Sequence, residues 1–201
     1  MQVSTISFYQ FVNPRAKLWA FLQMQFAHKH LASCEGLEFY KLMGTGKGMG
    51  FDPRPDWSVY ALLQVWNNID AAKWFFEHSD ISRRYRETSS RHFTLYMNNV
   101  KSLGSWSGGN PFQPDYSDTS DGPIAVITRA TIKWSKMRTF WSYVPKSEEG
   151  IHENPGLIFT KGIGEWPIRQ MATFSLWKSV DDLNAFAYRK SGHIGAIQRT
   201  R

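Results

Sequence analysis

The sequence predicts a mixed α+β fold made of two copies of one β-α-β-β-α-β unit. Segments with strand and helix patterns alternate in the same order in both halves of the 201-residue chain. Trp66 and Trp177 each end a strand, and each is followed three and four residues later by an aliphatic residue and an aspartate. The stretches "EFYKLMGTG" and "LIFTKGIGE" match around Lys41 and Lys161. Such matches in order indicate a duplication.

In the first half, alternating apolar residues predict strands and helical spacing predicts helices. The first helix has Pro14 at its start and apolar residues at Leu18, Phe21, Leu22 and Met24. In chain order the predicted elements are a strand at 4–11, a helix at 14–33, strands at 36–43 and within 52–66, a helix at 68–87 and a strand at 91–103. This order is that of the ferredoxin-like unit.

The second half repeats the order but stops one element early. Its predicted elements are a strand at 123–134, a helix at 135–144, strands at 156–166 and 169–177, and a helix from 179 towards 201. The last strand of the repeat is missing. Two ferredoxin-like repeats commonly form a dimeric-α+β-barrel-type fold, which is an expectation by fold analogy. A stretch rich in Gly, Pro, Ser and Asp separates the halves, so we expect repeats at 1–110 and 123–201 with a linker at 111–122.

Composition and charge limit the classes of function. The net charge is +7, but the 24 Lys and Arg are scattered, and we expect no nucleic-acid partner. Cys34 is the only cysteine, which excludes an intrachain disulfide and a cysteine-rich metal site and fits a reducing compartment. The N-terminus lacks a signal-peptide pattern, and no apolar run approaches the roughly 20 residues that span a bilayer. We therefore expect a cytoplasmic protein whose positive charge allows peripheral contact with a membrane.

The run "KLMGTGKGMGFDPRP" at 41–55 invites comparison with a phosphate-binding loop. A Walker loop needs Ser or Thr after its lysine, whereas Lys47 is followed by Gly48. A dinucleotide loop leads from a strand into a helix, whereas Pro53 and Pro55 disfavour a helix start and the next segment alternates like a strand. The run therefore predicts a long hairpin loop that binds no nucleotide.

Among the six histidines, His193 is the candidate for chemistry. No HxxxH or HExxH pair and no GxSxG motif occurs. His193 shares a predicted helix face with Phe186 and Ile197, and glycines beside it leave room for a large flat ligand. A single histidine on an apolar face is the arrangement of a haem proximal ligand. The alternatives are a hydrogen-bonded core histidine and a frayed helix end.

Longer motifs resemble a known family over nearly the whole chain. In order they are "KLMGTGKGMGFDPRPDWSVYALLQVW", "GSWSGGNPF", "ITRATIK", "FTKGIGEWP", "TFSLW" and "SGHIGAI". They resemble the spheroidene monooxygenase family of carotenoid biosynthesis. The resemblance implies a haem b enzyme that uses O2 and electrons from a ferredoxin-type donor. Such an enzyme places first a hydroxyl and then a keto group at C2 of an acyclic carotenoid.

The resemblance also implies roles for single residues. His193 matches the axial iron ligand, which would be the metal-binding residue. Arg129 matches a strand arginine that either hydrogen-bonds bound O2 or pairs with a haem propionate; the alternative is a surface arginine. Lys161 and Glu165 match the "KGIGE" segment, with Lys161 a second propionate partner. Pocket-lining and core-packing roles stay equally open for Trp106, Phe174 and Trp177.

Two other functions stay open beside the carotenoid oxygenase. One is a haem enzyme of the same fold that acts on a different small natural product. The other is a non-enzymatic α+β barrel that binds a hydrophobic ligand. The expected partners of the oxygenase are an apolar carotenoid, a ferredoxin-type donor and a membrane surface, and a homodimer is compatible with the fold.

Overall fold

The chain folds into two compact units, which are described separately. The computed structural model describes residues 1–48, 54–115, 122–132, 135, 154–166 and 170–189, with only the backbone of Trp166, Gln170, Tyr188 and Arg189. Unit 1 comprises residues 1–44 and 56–119, and unit 2 comprises residues 45–55 and 120–201. The repeat and linker boundaries given above stay a prediction.

Unit 1 has the predicted element order, with each predicted helix divided in two. Its elements are β1 (Val3–Gln10), α1 (Pro14–Phe26), α2 (His28–Leu31), β2 (Leu37–Gly46), β3 (Pro55–Trp66), α3 (Ile69–His78), α4 (Asp80–Thr88) and β4 (Arg91–Met97). The strands lie in the order β4-β1-β3-β2. β1 pairs antiparallel with both β3 and β4. The predicted first strand and first hairpin are thus confirmed, and the predicted closing strand is confirmed at 91–97 but wrong at 98–103, which are not in a strand.

Side-chain caps fix where the helices begin. The Asn13 side chain accepts a hydrogen bond from the Ala16 amide at 2.8 Å, and Pro14 occupies the first turn of α1. The continuous helix predicted at 68–87 is wrong at Ser79, whose backbone is extended and whose side chain caps α4 by accepting from the Ser82 amide. Because a cap residue has non-helical backbone angles, the break is required by the start of α4.

The core of unit 1 lies between the sheet and its helices and is rich in aromatic rings. Tyr9 and Tyr85 have ring centroids 4.8 Å apart, and Trp66 and Phe75 have centroids 5.2 Å apart. The indole N–H of fully buried Trp66 donates to the Thr5 hydroxyl at 3.0 Å, so its polar atom is satisfied inside the core.

The chain after β4 packs back onto unit 1. A tight turn pairs Trp106 with Gly109, and the Trp106 ring contacts both Phe39 and Phe112. The buried side chain of Gln2 accepts from the Gln113 amide at 2.7 Å and donates to the Pro111 carbonyl at 3.1 Å. These contacts hold the first part of the glycine- and serine-rich stretch against β1 and β2.

Unit 2 contains a three-stranded antiparallel sheet and one described helix. Its elements are β5 (Ile124–Thr131), β6 (Leu157–Trp166), β7 (Gln170–Trp177) and α5 (Val180–Arg189). The strands lie in the order β6-β7-β5, so β7 is central. Of the predicted helix at 135–144 only residue 135 is described, and residues 190–201 of the predicted last helix lie outside the described residues.

The duplication is visible in equivalent contacts within each unit. Gly36 precedes β2, and its carbonyl accepts from the Asn67 amide at 2.9 Å. Gly156 precedes β6, and its carbonyl accepts from the Lys178 amide, also at 2.9 Å. Both donors directly follow the tryptophan that ends a strand. As far as the described residues reach, the predicted α+β class with duplicated ferredoxin-like units is confirmed.

Candidate active site

One face of the unit 2 sheet gathers four of the residues expected at the site. On the central strand β7, Phe174 pairs with Lys161 of β6 and Ala172 pairs with Arg129 of β5. Directly paired residues of neighbouring strands project to the same side, and so do residues two apart on one strand. Arg129, Lys161 and Phe174 therefore share a face, and the contact between Arg129 and Glu165 adds Glu165. We call these four residues the β5–β7 cluster.

The cluster contains an ion pair that crosses the central strand. The Nη2 atom of Arg129 lies 3.5 Å from Oε1 of Glu165, and the two side chains are 20% and 17% exposed. Ala172 is the β7 residue paired with Arg129, and it also pairs with Ile163 of β6. Because Ala172 has only a methyl group, the guanidinium can reach across β7. Glu165 therefore contributes to the orientation of the Arg129 side chain.

Lys161 connects the cluster to the glycine-rich loop. Its side chain is buried, and its Nζ donates to the carbonyl oxygen of Gly48 at 2.9 Å. Gly48 has a φ of +69°, in the left-handed region that glycine adopts without strain. The Lys47 amide donates to the Arg54 carbonyl at 2.9 Å, so the loop joins β2 to β3 as the predicted hairpin. Residues 49–53 of the loop lie outside the described residues.

Apolar side chains adjoin these charges. Phe174 and Ile163 are fully buried, and the rings of Phe174 and Phe159 have centroids 6.1 Å apart. The two cations and one carboxylate leave the cluster with a formal charge of +1. The cluster thus combines charged hydrogen-bond donors with buried apolar groups.

The remaining expected site residues do not join the β5–β7 cluster. Phe186 of α5 packs on Trp177 with ring centroids 5.2 Å apart. Trp177 is three residues from Phe174 on β7, so the two project to opposite faces of the sheet. The expected contact of the Phe186 helix face with the sheet is therefore made, on the side away from Phe174. His193 and Ile197 lie outside the described residues, and Trp106 packs within unit 1.

Sequence reasoning missed two parts of this arrangement. The first is the Gly48 carbonyl, which lies 113 positions from Lys161 in the chain, and no spacing rule connects residues so far apart. The second is the direct pairing of Arg129 with Glu165. The sequence placed Arg129 and Glu165 on predicted strands but did not show which strands are neighbours. Long side chains on two strands that flank the same central strand can reach each other.

An open groove in unit 1 is a poorer candidate for an active site. It measures about 740 Å³ and is lined in part by His30, Cys34, Asp70 and Asp80. Burial, and then the charge of Glu35, raise the pKa of the Cys34 thiol, which keeps it in the weakly nucleophilic neutral form. Within the described ranges, no group of three or more His, Cys, Asp or Glu side chains is placed to hold a metal ion.

Comparison with known proteins identifies relatives along the whole chain. No family model matches. The chain is 34% identical to a spheroidene monooxygenase of Rhodobacter capsulatus over 203 aligned residues, which cover all of this chain and 84% of the relative. It is 32% identical to a spheroidene monooxygenase of Cereibacter sphaeroides, again over all of this chain but only 62% of that longer relative.

A solved structure supports the fold independently of sequence. A crystal structure of aldoxime dehydratase superimposes with a TM-score of 0.61 over 98% of this chain and 76% of that one, at 10% identity. At so low an identity the similarity concerns the fold alone. The identities of 34% and 32%, each over the whole of this chain, lead to one conclusion: the chain belongs to the spheroidene monooxygenase family.

Proposed function

We propose that this protein is a haem-dependent monooxygenase that oxidises an acyclic carotenoid such as spheroidene. The observation that carries the proposal is the 34% identity, over the full chain, with a protein named spheroidene monooxygenase. The product of the first reaction is the C2 alcohol, and a second oxidation at the same carbon gives the C2 ketone. A cytoplasmic location follows, since the proposed ferredoxin-type electron donor is a soluble cytoplasmic protein.

The overall reaction requires two electrons and two protons for each oxygen atom inserted. One oxygen atom of O2 enters a C–H bond of the substrate as a hydroxyl group. The other atom leaves as water after it takes up two electrons and two protons. Repetition at the same carbon gives a geminal diol, which loses water to form the ketone. A ferredoxin-type donor supplies the electrons one at a time, so each hydroxylation uses two reduced ferredoxins.

The chemistry of the β5–β7 cluster fits a haem b group. Haem b is a flat apolar ring with two carboxylate side chains, and the cluster offers two cations beside buried apolar groups. Arg129 and Lys161 would supply the cations for its propionates on the Phe174 face of the sheet, and His193 is proposed as the axial iron ligand from the resemblance alone. The helix that leads towards His193, α5, packs against Trp177 on the opposite face, so the described residues do not bring the cluster and the α5 side together. When bound, haem would activate O2 for insertion of one oxygen atom into a C–H bond of the substrate.

The chain's own groups would prepare the site. Glu165 holds the Arg129 guanidinium in one direction, so its N–H groups need little reorganisation to bind an anion or a polar oxygen atom. Buried Phe174 and Ile163 exclude water and favour an apolar polyene over a polar ligand. Lys161 holds Gly48 of the glycine-rich loop, which ties the loop to the same cluster.

An absorption spectrum tests the cofactor. The purified full chain, supplemented with haem, is compared with His193→Ala and with the control His92→Ala, each oxidised and then reduced under CO. His92 is an exposed residue whose ring lies 3.2 Å from the Ser89 hydroxyl. We expect a Soret band in the wild type and in His92→Ala that is lost or shifted in His193→Ala. A wild type that stays colourless would overturn haem dependence.

Product analysis tests the substrate. The haem-loaded protein is incubated with spheroidene, O2 and reduced ferredoxin, and the extracted pigments are analysed by mass spectrometry. We expect an alcohol first and then a ketone with two fewer hydrogens, both oxidised at C2. A protein that binds haem but leaves spheroidene unchanged while converting another small molecule would favour a haem enzyme with a different substrate. A haem-free protein that still binds carotenoid would favour the binding module.

A further inference from the structure

Helix α1 exposes several of its large apolar residues. The side that packs on unit 1 carries the buried Ala16 and Ala20 together with the partly buried Trp19 and Met24. Leu18, on the opposite side, is 60% exposed, and Phe21 is 49% exposed. The helix is therefore apolar on its outer side as well as on its core-facing side, unlike the usual amphipathic surface helix, whose outer side is polar. The apolar positions singled out in the sequence of this helix are therefore mostly on its outer face.

Neighbouring side chains extend this apolar surface. Trp57, at the start of β3, is 56% exposed and contacts the ring of Phe21 edge-on, with centroids 5.6 Å apart. We call the exposed large apolar residues of this region the α1 patch; they are Leu18, Phe21, Leu22, Phe26 and Trp57. Contiguous apolar patches of this kind mark sites of interaction with proteins or membranes, whereas scattered exposed residues do not.

The segment that carries α1 and α2 has formal charges of one sign. Residues 1–34 contain three cationic residues, Arg15, Lys17 and Lys29, and no Asp or Glu, which gives a formal charge of +3. The nearest acidic residue to Trp57 along β3 is Asp56, whose carboxylate accepts hydrogen bonds from Ser58. Asp56 and Trp57 are consecutive on a strand, so their side chains point to opposite faces. The patch is thus apolar and flanked by positive charge.

The dimensions of α1 fit a helix that lies on a membrane and does not cross it. The helix has 13 residues, which corresponds to a length of roughly 20 Å. Among the described residues, none of the helices combines the length and the apolar composition that crossing a bilayer requires. Interfacial helices present Leu, Phe and Trp to the acyl boundary and Lys and Arg to the headgroups.

We propose that the α1 patch docks the protein on an anionic lipid bilayer. The apolar side chains enter the boundary between headgroups and acyl chains, and Arg15, Lys17 and Lys29 lie against anionic headgroups. A second copy of this chain fits the patch less well. In a twofold-symmetric dimer the same surface meets itself, so a surface that carries three cations would meet a second positive surface, with no carboxylate in residues 1–34 to compensate the charge. The proposal does not depend on the oxygenase reaction.

Co-sedimentation with vesicles tests the proposal. The full chain is mixed with vesicles of phosphatidylcholine alone and of phosphatidylcholine with phosphatidylglycerol, neither of which contains carotenoid. We expect binding to the anionic vesicles that weakens with added salt. Leu18→Ser/Phe21→Ser is expected to lower the partition coefficient about tenfold. Each of Arg15→Gln, Lys17→Gln and Lys29→Gln is expected to lower it about fivefold at low salt.

Matched controls separate docking from general effects of the substitutions. Leu103→Ser/Ile158→Ser removes two exposed apolar residues that lie outside the α1 patch and should bind vesicles like the wild type. Circular dichroism checks that every variant is folded. If the patch variants bind anionic vesicles as well as the wild type, the proposal is wrong. If the wild type stays off vesicles and forms dimers that Leu18→Ser/Phe21→Ser abolishes, the patch is a self-association surface. Because no turnover is measured, neither outcome depends on haem.

Discussion

Gly156 lies directly against Asp182: a Cβ atom at position 156 would overlap the Cβ and Cγ atoms of the Asp182 side chain. Asp182 belongs to the first turn of α5, where the Ser179 hydroxyl accepts from its amide at 3.1 Å. The equivalent glycine of unit 1, Gly36, is as close to α3, since a Cβ there would lie 2.6 Å from Ala71 Cβ. In each unit the turn before a strand therefore packs on the start of a helix with no room for a side chain.

This contact makes Gly156→Ala destabilising. The substitution forces the turn and the start of α5 apart, and overpacking of this kind costs about 1–3 kcal/mol of unfolding free energy. Urea denaturation measures the change. The control is Gly44→Ala, because a Cβ at Gly44 of β2 meets no atom within 4 Å. Equal stability of the two variants would mean that α5 can shift without loss of packing.

The order of strands and helices could be predicted from sequence because it depends on local patterns of apolar residues. Several helix ends and orientations could not be predicted in this way. Strands of alternating apolar residues and the tryptophan at the end of each hairpin were sufficient to recognise the duplication. The break at Ser79 was missed because the apolar periodicity continues across it, although Ser79 followed by Asp80 is a typical helix start. The orientation of α1 was missed because the helix is apolar on both sides, and only packing decides that Ala16 and Ala20 face inward.

In the candidate site, too, the secondary structure of each residue could be predicted from sequence, whereas the contacts between distant residues could not. That Arg129, Lys161 and Phe174 stand on strands follows from sequence, and their common face follows from the register of those strands, which local pattern does not determine. The contact of Lys161 with Gly48 depends on the tertiary packing of two distant segments of unit 2. Residues separated by 113 positions meet through tertiary structure alone.

The Arg129–Glu165 pair should contribute more to stability than its distance suggests. At 3.5 Å it is longer than the 2.7 Å pair of Arg83 with Asp80, but the latter is 55% and 81% exposed. Water screens exposed pairs, so we expect a coupling energy of about 0.5–1.5 kcal/mol for Arg129–Glu165. A double-mutant cycle with Arg129→Gln and Glu165→Gln measures it, and the same cycle on Arg83 and Asp80 should give no measurable coupling. Equal coupling in both cycles would contradict the role of burial.

Stability should fall steeply in alkaline solution because of a buried tyrosine. Burial raises the pKa of Tyr9 to about 12, from an ordinary value of 10.0. Between these two values the unfolded chain has lost the Tyr9 proton and the folded chain keeps it, so rising pH favours unfolding. The loss approaches about 2–3 kcal/mol near pH 12. Urea denaturation at a series of pH values measures it, and Tyr9→Phe should have a shallower slope above pH 10.0. An identical slope would assign the effect to other groups.

Lys161→Met separates a structural role of this lysine from a role in cofactor binding. The variant loses the hydrogen bond to the Gly48 carbonyl but keeps a long side chain. Replacing a buried cation by an apolar residue is often neutral for global stability, so the effect should be local. We expect hydrogen exchange of the Lys47 amide, which donates to Arg54, to accelerate about tenfold. Lys41→Met is the matched control, because Lys41 is the equivalent lysine of unit 1 and donates to the Ser107 hydroxyl at 2.8 Å.

Titration of the wild type, Lys161→Met and Lys41→Met with haem measures whether the lysine also contributes to haem affinity. If Lys161 also holds a propionate, Lys161→Met should weaken haem binding, whereas Lys41→Met should not. Faster exchange at Lys47 with unchanged haem affinity would restrict Lys161 to holding the glycine-rich loop. Weaker haem binding with unchanged exchange would instead mean that the ammonium group serves the cofactor and that the Gly48 contact contributes little. Because the two measurements respond to different partners of one Nζ atom, each outcome identifies which partner the lysine stabilises.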